Sequence, residues 1–159
     1  MKPLIELKDL CIRTHDRVLV DGVNMVVHPG RVTALVGPSG SGKSLTARCS
    51  MGVIDVDPGL VAGELRYPKL DAAKDWYEGI RGGGAAASRV LLESTRHLRG
   101  NYFAYSPQAA SSALNPGRTV GRQLELAIGR RDSPPADMGI AVGEILADVG
   151  LSMDVASAL

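Results

Sequence analysis

Gly37-Pro-Ser-Gly-Ser-Gly-Lys-Ser44 fits G-x-x-x-x-G-K-[ST], the pattern of a phosphate-binding loop. Glycines at 37, 40 and 42 open backbone conformations that a Cβ would forbid. Successive N–H groups along the loop Gly37, Pro38, Ser39, Gly40, Ser41 and Gly42, proline alone having none to give, can then point inward around phosphate oxygens. Lys43 is placed to reach the β- and γ-phosphates, and Ser44 to set a hydroxyl on Mg²⁺. The flanks agree. Arg31-Val-Thr-Ala-Leu-Val36 reads as a short apolar strand, and Ser44-Leu-Thr-Ala-Arg-Cys-Ser-Met51 as a helix. A strand feeding a Gly-rich loop that opens a helix aims the positive end of the helix dipole at the phosphates. These residues are the expected ATP-phosphate contacts, with Mg²⁺ bound alongside.

The rest of the composition bounds the function. A chain of 159 residues is one domain or a piece of one. Its hydrophobic share of 45% is ordinary, and with only 4% aromatic residues the core must be mostly aliphatic. A net charge of +1 gives no electrostatic case for a nucleic-acid partner or a membrane-surface binder. Arg118, Arg122, Arg130 and Arg131 form the one loose basic cluster and read as a solvated face. Cys11 and Cys49 lack metal or redox spacing, and read as small buried hydrophobes in a reducing compartment. The N-terminus carries charges where a signal peptide needs an apolar run, and no stretch approaches the length of about 18 apolar residues that spans a bilayer. The expected location is therefore cytoplasmic.

Residues 4–13 alternate apolar and polar, as a half-buried strand does, and Asp16-Arg17 reads as a turn. Val18–Val20 and Val23–His28 read as two further β runs broken by a turn at Asp21-Gly22. Hairpin-like β-structure thus precedes the phosphate loop. After the loop a helix is expected from about Gly42 to Val53, closed by Asp55–Gly59, and then a short strand over Val61–Arg66. Gly82–Ser88 reads as a flexible low-complexity loop, with Trp76 and Tyr77 before it as packing residues, and Val90–Leu98 as a possible helix. Asn101–Ser106 is β-prone, and 107–116 is an irregular polar loop. Val120–Gly129 and Met138–Val149 read as helices separated by the rigid linker Ser133-Pro-Pro-Ala-Asp137.

Three stretches carry a resemblance. The loop itself, its lead-in Gly30-Arg-Val-Thr-Ala-Leu-Val-Gly37, and Arg99-Gly-Asn-Tyr-Phe-Ala-Tyr-Ser-Pro-Gln108 followed by Leu114-Asn-Pro116 and Thr119-Val-Gly121 resemble the ATPases of ABC transporters. The last stretch is similar to the Q-loop of the oligopeptide, dipeptide and nickel importer subfamily. Glu144-Ile-Leu-Ala-Asp-Val-Gly-Leu151 resembles its pre-signature helix. His28-Pro-Gly-Arg-Val-Thr-Ala-Leu-Val36 and Lys43-Ser-Leu-Thr46 look closest to the nickel importer type. The resemblance implies an α/β fold of P-loop NTPase type: an antiparallel β-layer, a parallel core sheet and the start of a helical subdomain. The implied organisation is β-layer and phosphate-loop core over 1–66, a variable insertion over 67–100, the Q-loop over 101–118, and the helical subdomain from 119 to 159.

It further implies that Gln108 meets Mg²⁺ through its carbonyl and orients the attacking water, since an amide offers both donor and acceptor. Gln108 and Lys43 are the implied catalytic residues, and Ser44 and Gln108 the implied Mg²⁺ contacts. Residues 109–118 would touch membrane permease subunits, and a second ABC ATPase subunit would pair with this one. A solute-binding protein is an indirect partner. The place implied is the cytoplasmic face of the cell membrane, as a peripheral subunit.

The pattern also departs from the family. No LSGG-type signature, Asp-Glu-ended Walker B strand or switch histidine occurs in these 159 residues; His15, His28 and His97 all precede Gln108. Phosphoryl transfer is mostly positioning and electrostatics, so the expectation is an N-terminal portion of a longer ATPase, truncated before the signature and inactive alone. The region matching the adenine platform, Arg13-Thr-His-Asp16, has no Tyr or Phe, and His15 reads as a surface turn residue or a stacking one. Two other functions stay open: a non-transport ABC-type ATPase, which the near-neutral charge and lack of heptads disfavour, and a catalytically inactive nucleotide-binding remnant. A P-loop kinase is disfavoured by the upstream β-layer.

Overall fold

The computed structural model describes residues 1–106, 113–131 and 133–158. Two compact units divide the chain, Met1–Ala104 and Tyr105–Leu159.

The first unit is built on a three-stranded antiparallel sheet of order β2-β1-β3, with β1 at Ile5–Thr14, β2 at Val18–Val27 and β3 at Pro58–Arg66. The turn between β1 and β2 is closed by Thr14 N–H donating to Arg17 O at 2.8 Å. The alternating pattern of β1 buries Leu7, Leu10 and Ile12, each worth about 2 kcal/mol when removed from water. The expected break at Asp21-Gly22 is not a turn. β2 runs through it, because between the pairs Ile12↔Val20 and Leu10↔Val23 it carries one residue more than β1. Gly22, at φ 61°, absorbs that bulge. A second bulge at Asp9 (φ 47°) is clamped by Asn24, whose Oδ1 accepts from Asp9 N at 3.0 Å and whose amide donates to Asp9 Oδ1 and Gly22 O.

Helix α1 spans Lys43–Cys49, shorter than the sequence suggested, and its chain leaves through a tight turn at Gly52 (φ 74°) that lies against Thr95. β3 begins three residues earlier than expected. Helix α2 occupies Gly84–Ser94, which corrects the flexible-loop reading of Gly82–Ser88. Three successive alanines at 85–87 favour a helix strongly enough to outweigh the glycines before them. A 3₁₀ turn follows at Arg96–Leu98. Asn101–Ser106 is not a strand; Phe103 makes one bridge with Arg99, and Gly100 N–H donates to Phe103 O at 2.8 Å. The aromatics, scarce in the chain, gather here. Tyr67 lies 5.3 Å from Trp76, 5.7 Å from Tyr102 and 5.8 Å from Phe103, ring centre to ring centre.

The outer edge of β3 is covered by the segment that follows it. Leu65 N–H donates to Asp75 Oδ1 at 3.0 Å and Trp76 N–H to Leu65 O at 2.8 Å. Arg81 Nε donates to Gly63 O at 2.8 Å, and Gly82 N–H to Leu60 O at 2.9 Å. An exposed edge that would otherwise template another strand is thereby satisfied.

The antiparallel β-layer is therefore present, but the expected parallel core is not formed among the described residues. Residues 31–36 take no strand conformation, and Val32 and Val36 are 97% and 92% exposed. A parallel strand needs ladder partners at its sides and cover on both faces. The stretch at 101–106 that could have supplied one turns at 101–102, makes a single bridge at Phe103 and forms no strand.

The second unit carries α3 at Val120–Ile128 and α4 at Met138–Asp148, close to expectation, and a 3₁₀ turn at Met153–Ser157. Thr119 and Asp137 cap the two helices by accepting from Arg122 N and Ile140 N. Ile128, Ala141, Val142 and Leu146 form its buried core. Among the described residues no helix is long and apolar enough to cross a membrane.

Candidate functional site

The loop predicted to hold phosphates is exposed from Arg31 through Ser41, and two of its glycines take conformations a side chain would resist. Gly40 stands at φ 82° and Gly42 at φ 84°. Gly42 is constrained twice over: a Cβ there would also meet Leu19 O and the Val20 side chain, each at 2.9 Å. The loop's exit into α1 is thereby seated on the backbone of β2. Gly42 caps α1, and its carbonyl accepts from Thr46 N–H at 2.8 Å. Gly37 lies under Ser41, whose Oγ a Cβ at 37 would meet at 2.9 Å.

Lys43 occupies the first position of α1, and its side chain turns back over the loop. The ammonium donates to Pro38 O at 2.6 Å and lies 3.5 Å from Ser41 Oγ. Ser41 N–H also donates to Pro38 O, at 3.3 Å. The loop is thus a closed ring, Pro38 to Lys43, with a cation across its mouth. Chemically, an anion with several oxygens can replace the Pro38 carbonyl as the partner of that ammonium, since two opposite charges add a Coulomb attraction that a neutral carbonyl does not offer. Ser44, the next residue, is exposed.

The fold brings Gly37, Pro38, Ser39, Gly40, Ser41, Gly42, Lys43 and Ser44 together at one place. Gln108 lies outside the described residues, as do 109–112 of the expected coupling loop. Residues 115–118 of the same loop form an ordered turn. Asn115 Oδ1 accepts from Gly117 N–H at 2.9 Å, and Arg118 N–H donates to Asn115 O at 3.2 Å. Gln123, on α3, fastens the turn: its Oε1 accepts from Asn115 N–H at 2.8 Å and its amide donates to Asn115 O and Arg118 O. Sequence reasoning gave Gln123 no role, and a lone helix glutamine carries no signal that would have found it. Leu114, at the head of this turn, is exposed.

His15 is exposed and bonds Asp57 at 2.9 Å, consistent with the surface-turn reading. Cys49 is fully buried, and burial pushes its thiol up to about 12, as expected for a packing cysteine; Cys11 is half-buried. An open cleft of about 540 Å³ elsewhere in the first unit is lined by Lys8, Asp9, Glu64, Arg66, Asp75 and Arg81 among others. Arg66 and Arg81 are already engaged there, with Glu64 and with Asp75. Among the described residues no group of histidines, cysteines and carboxylates could hold a metal ion.

Comparison with known proteins agrees with the loop. The ABC transporter family model matches residues 20–157. A putative peptide import ATP-binding protein of Brucella ovis is 33% identical over 127 residues, covering 77% of this chain and 35% of that protein. A nickel import ATP-binding protein of Rhodospirillum rubrum is 36% identical over 138 residues, covering 80% of this chain and 43% of that protein. A zinc import ATP-binding protein of Rhizobium meliloti is 40% identical over a shorter 78 residues, covering 46% of this chain and 26% of that protein. The chain thus spans about a third to two fifths of the length of the first two of these relatives.

Proposed function

The chain belongs to the ABC transporter family, and from that premise we propose that it is the N-terminal part of the ATP-binding, energy-coupling subunit of an importer for peptides or nickel. The observation that carries this reading is the loop itself: Gly40 and Gly42 in left-handed conformations, and the Lys43 ammonium held across the ring. Gly37–Ser44 bind the phosphates of ATP. Lys43 neutralises the β- and γ-phosphates, and the Ser44 hydroxyl contacts the Mg²⁺ that accompanies them. Gln108 completes the Mg²⁺ contacts and orients water. The relatives' names, peptide import and nickel import, support the solute classes.

Coupling runs through the loop 109–118 to membrane permease subunits, at the cytoplasmic face of the membrane. The Gln123-fastened turn at 115–118 makes part of that loop a stiff contact rather than a loose one. A second ABC ATPase subunit pairs with this one, and a solute-binding protein acts indirectly. No nucleic acid takes part, which a net charge of +1 supports. Within these 159 residues there is no LSGG signature and no Asp-Glu-ended strand. The polypeptide as it stands binds nucleotide weakly and turns it over negligibly.

Calorimetric titration with MgATP, ADP, AMP and adenosine tests the reading. Affinity should fall steeply as phosphates are removed, and adenosine should bind immeasurably weakly. Equal affinity for adenosine and ATP, or ATP hydrolysis at the rate of an intact transporter, contradicts it. Recovery from cell extract with membrane permeases supports the coupling role, and recovery with nucleic acid instead opposes it.

A further inference from the structure

We propose that Tyr67 and Tyr77 are positioning residues for the phosphate loop, holding α1 by its C-terminal carbonyls so that Lys43 and Ser44 stay in register with the loop. The inference rests on the reading of Gly37–Ser44 as the MgATP site. α1 has seven residues, so it is about 10 Å long and could not persist without tertiary anchors. A helix this short moves as a rigid rod, and whatever fixes its last turn also fixes its first.

The last carbonyls of a helix have no partners within it. In this protein two are claimed by phenols from a different part of the chain. Tyr77 Oη donates to Cys49 O at 2.9 Å, and Tyr67 Oη donates to Ser50 O at 3.0 Å. Cys49 O also accepts from Gly52 N–H at 2.9 Å, which uses its second lone pair. Both tyrosines are fully buried, and burial raises both phenols above their ordinary range, so they remain donors throughout physiological pH.

Each phenol is itself held. Tyr67 follows the end of β3 and is packed by Trp76, Tyr102 and Phe103. Tyr77 N–H donates to Asp75 Oδ1 at 3.0 Å, the same oxygen that accepts from Leu65 N–H, while Asp75 Oδ2 pairs with Arg81. The sheet edge therefore carries the segment, the segment carries the two hydroxyls, and the hydroxyls carry the helix. At its other end α1 is seated by Gly42 against Leu19 O. Losing either hydroxyl removes one of the two phenol bonds at that end of the rod and loosens it, while leaving the ring packing in place.

The test uses Tyr77→Phe and Tyr67→Phe, each alone and each combined with Lys43→Ala. MgATP affinity is measured by titration, and the amide resonances of Gly40 and Gly42 by ¹H–¹⁵N NMR without nucleotide. Each phenylalanine variant should lose about fivefold in MgATP affinity, the scale of one hydrogen bond, and should shift both glycine resonances. In the Lys43→Ala background the tyrosine effect should shrink, because the ammonium is gone and only the Ser44 contact is left to position. Full affinity with unmoved glycine resonances overturns the inference, as does an additive loss in the combined variants, which marks a general destabilisation. Should Tyr77→Phe fail to fold, Tyr67→Phe carries the same test on the Ser50 carbonyl. If Lys43→Ala itself leaves affinity unchanged, the reading of the site fails; if only the tyrosine changes are silent, the positioning role alone fails.

Discussion

The Lys43 ammonium and the Pro38 carbonyl oxygen are 2.6 Å apart, so the charged group of the phosphate loop is folded onto the loop's own backbone. The contact preorganises the ring and keeps the cation at its mouth. Because Lys43 is only half-buried, the contact adds little to global stability. Lys43→Met, which keeps the stem and removes the charge, should therefore change the urea unfolding free energy by less than about 1 kcal/mol. A much larger loss would make Lys43 a structural residue rather than a binding one.

Gly42→Ala should act differently. The new Cβ would sit at a φ of 84° and within 2.9 Å of Leu19 O, which belongs to backbone and cannot rotate away. The expected cost is about 2 kcal/mol or more, read as a lower unfolding midpoint together with weaker nucleotide binding. Gly22→Ala, also at positive φ but with open space around it, should cost about 1 kcal/mol and leave binding intact.

Alkaline pH should destabilise the chain in stages. The Cys49 thiol is raised by burial to about 12 from 9.0, so from pH 9 upward the unfolded chain loses a proton that the folded chain keeps. Folded stability is intact below pH 9 and falls as pH climbs towards 12, by about 1.4 kcal/mol per pH unit for each such group. Tyr67 and Tyr77, raised above 10.0 by burial, add to the slope beyond that point. Cys49→Ala should flatten the fall between pH 9 and 10; an unchanged slope there would show that another group sets it.

Asp75 is the knot of the edge-covering segment, accepting from Leu65 N–H and Tyr77 N–H and pairing with Arg81. Asp75→Ala should cost about 2–3 kcal/mol and speed hydrogen exchange at Leu65. Asp75→Asn, which keeps one acceptor oxygen, should fall between the parent and the alanine variant. Equal exchange at Leu65 in all three proteins would mean that the β3 edge is protected by something else.

What the sequence disclosed tracks its chemistry. The glycine-rich turn into α1 was legible because its spacing calls for glycines just before a helix start, and α3 and α4 because their apolar residues recur at helical intervals. The bulge at Gly22 was not, since a glycine after an aspartate serves a turn and a bulge equally well. α2 was hidden by Gly82-Gly83-Gly84, which drew attention from the alanines beside them. The strand over 32–36 failed for a tertiary reason: its valines are ready for a ladder, yet no described strand lies beside them. Tyr67 and Tyr77 could be read as core residues, but nothing in a one-dimensional pattern says that their hydroxyls meet Ser50 O and Cys49 O.

The most direct test of the account is MgATP titration of the Lys43→Ala protein beside the parent. The loop geometry predicts a loss of at least about tenfold in affinity, since a charge-assisted contact to phosphate of about 1.5–3 kcal/mol is removed. Affinity equal to that of the parent would contradict the assignment of Gly37–Ser44 as the nucleotide site.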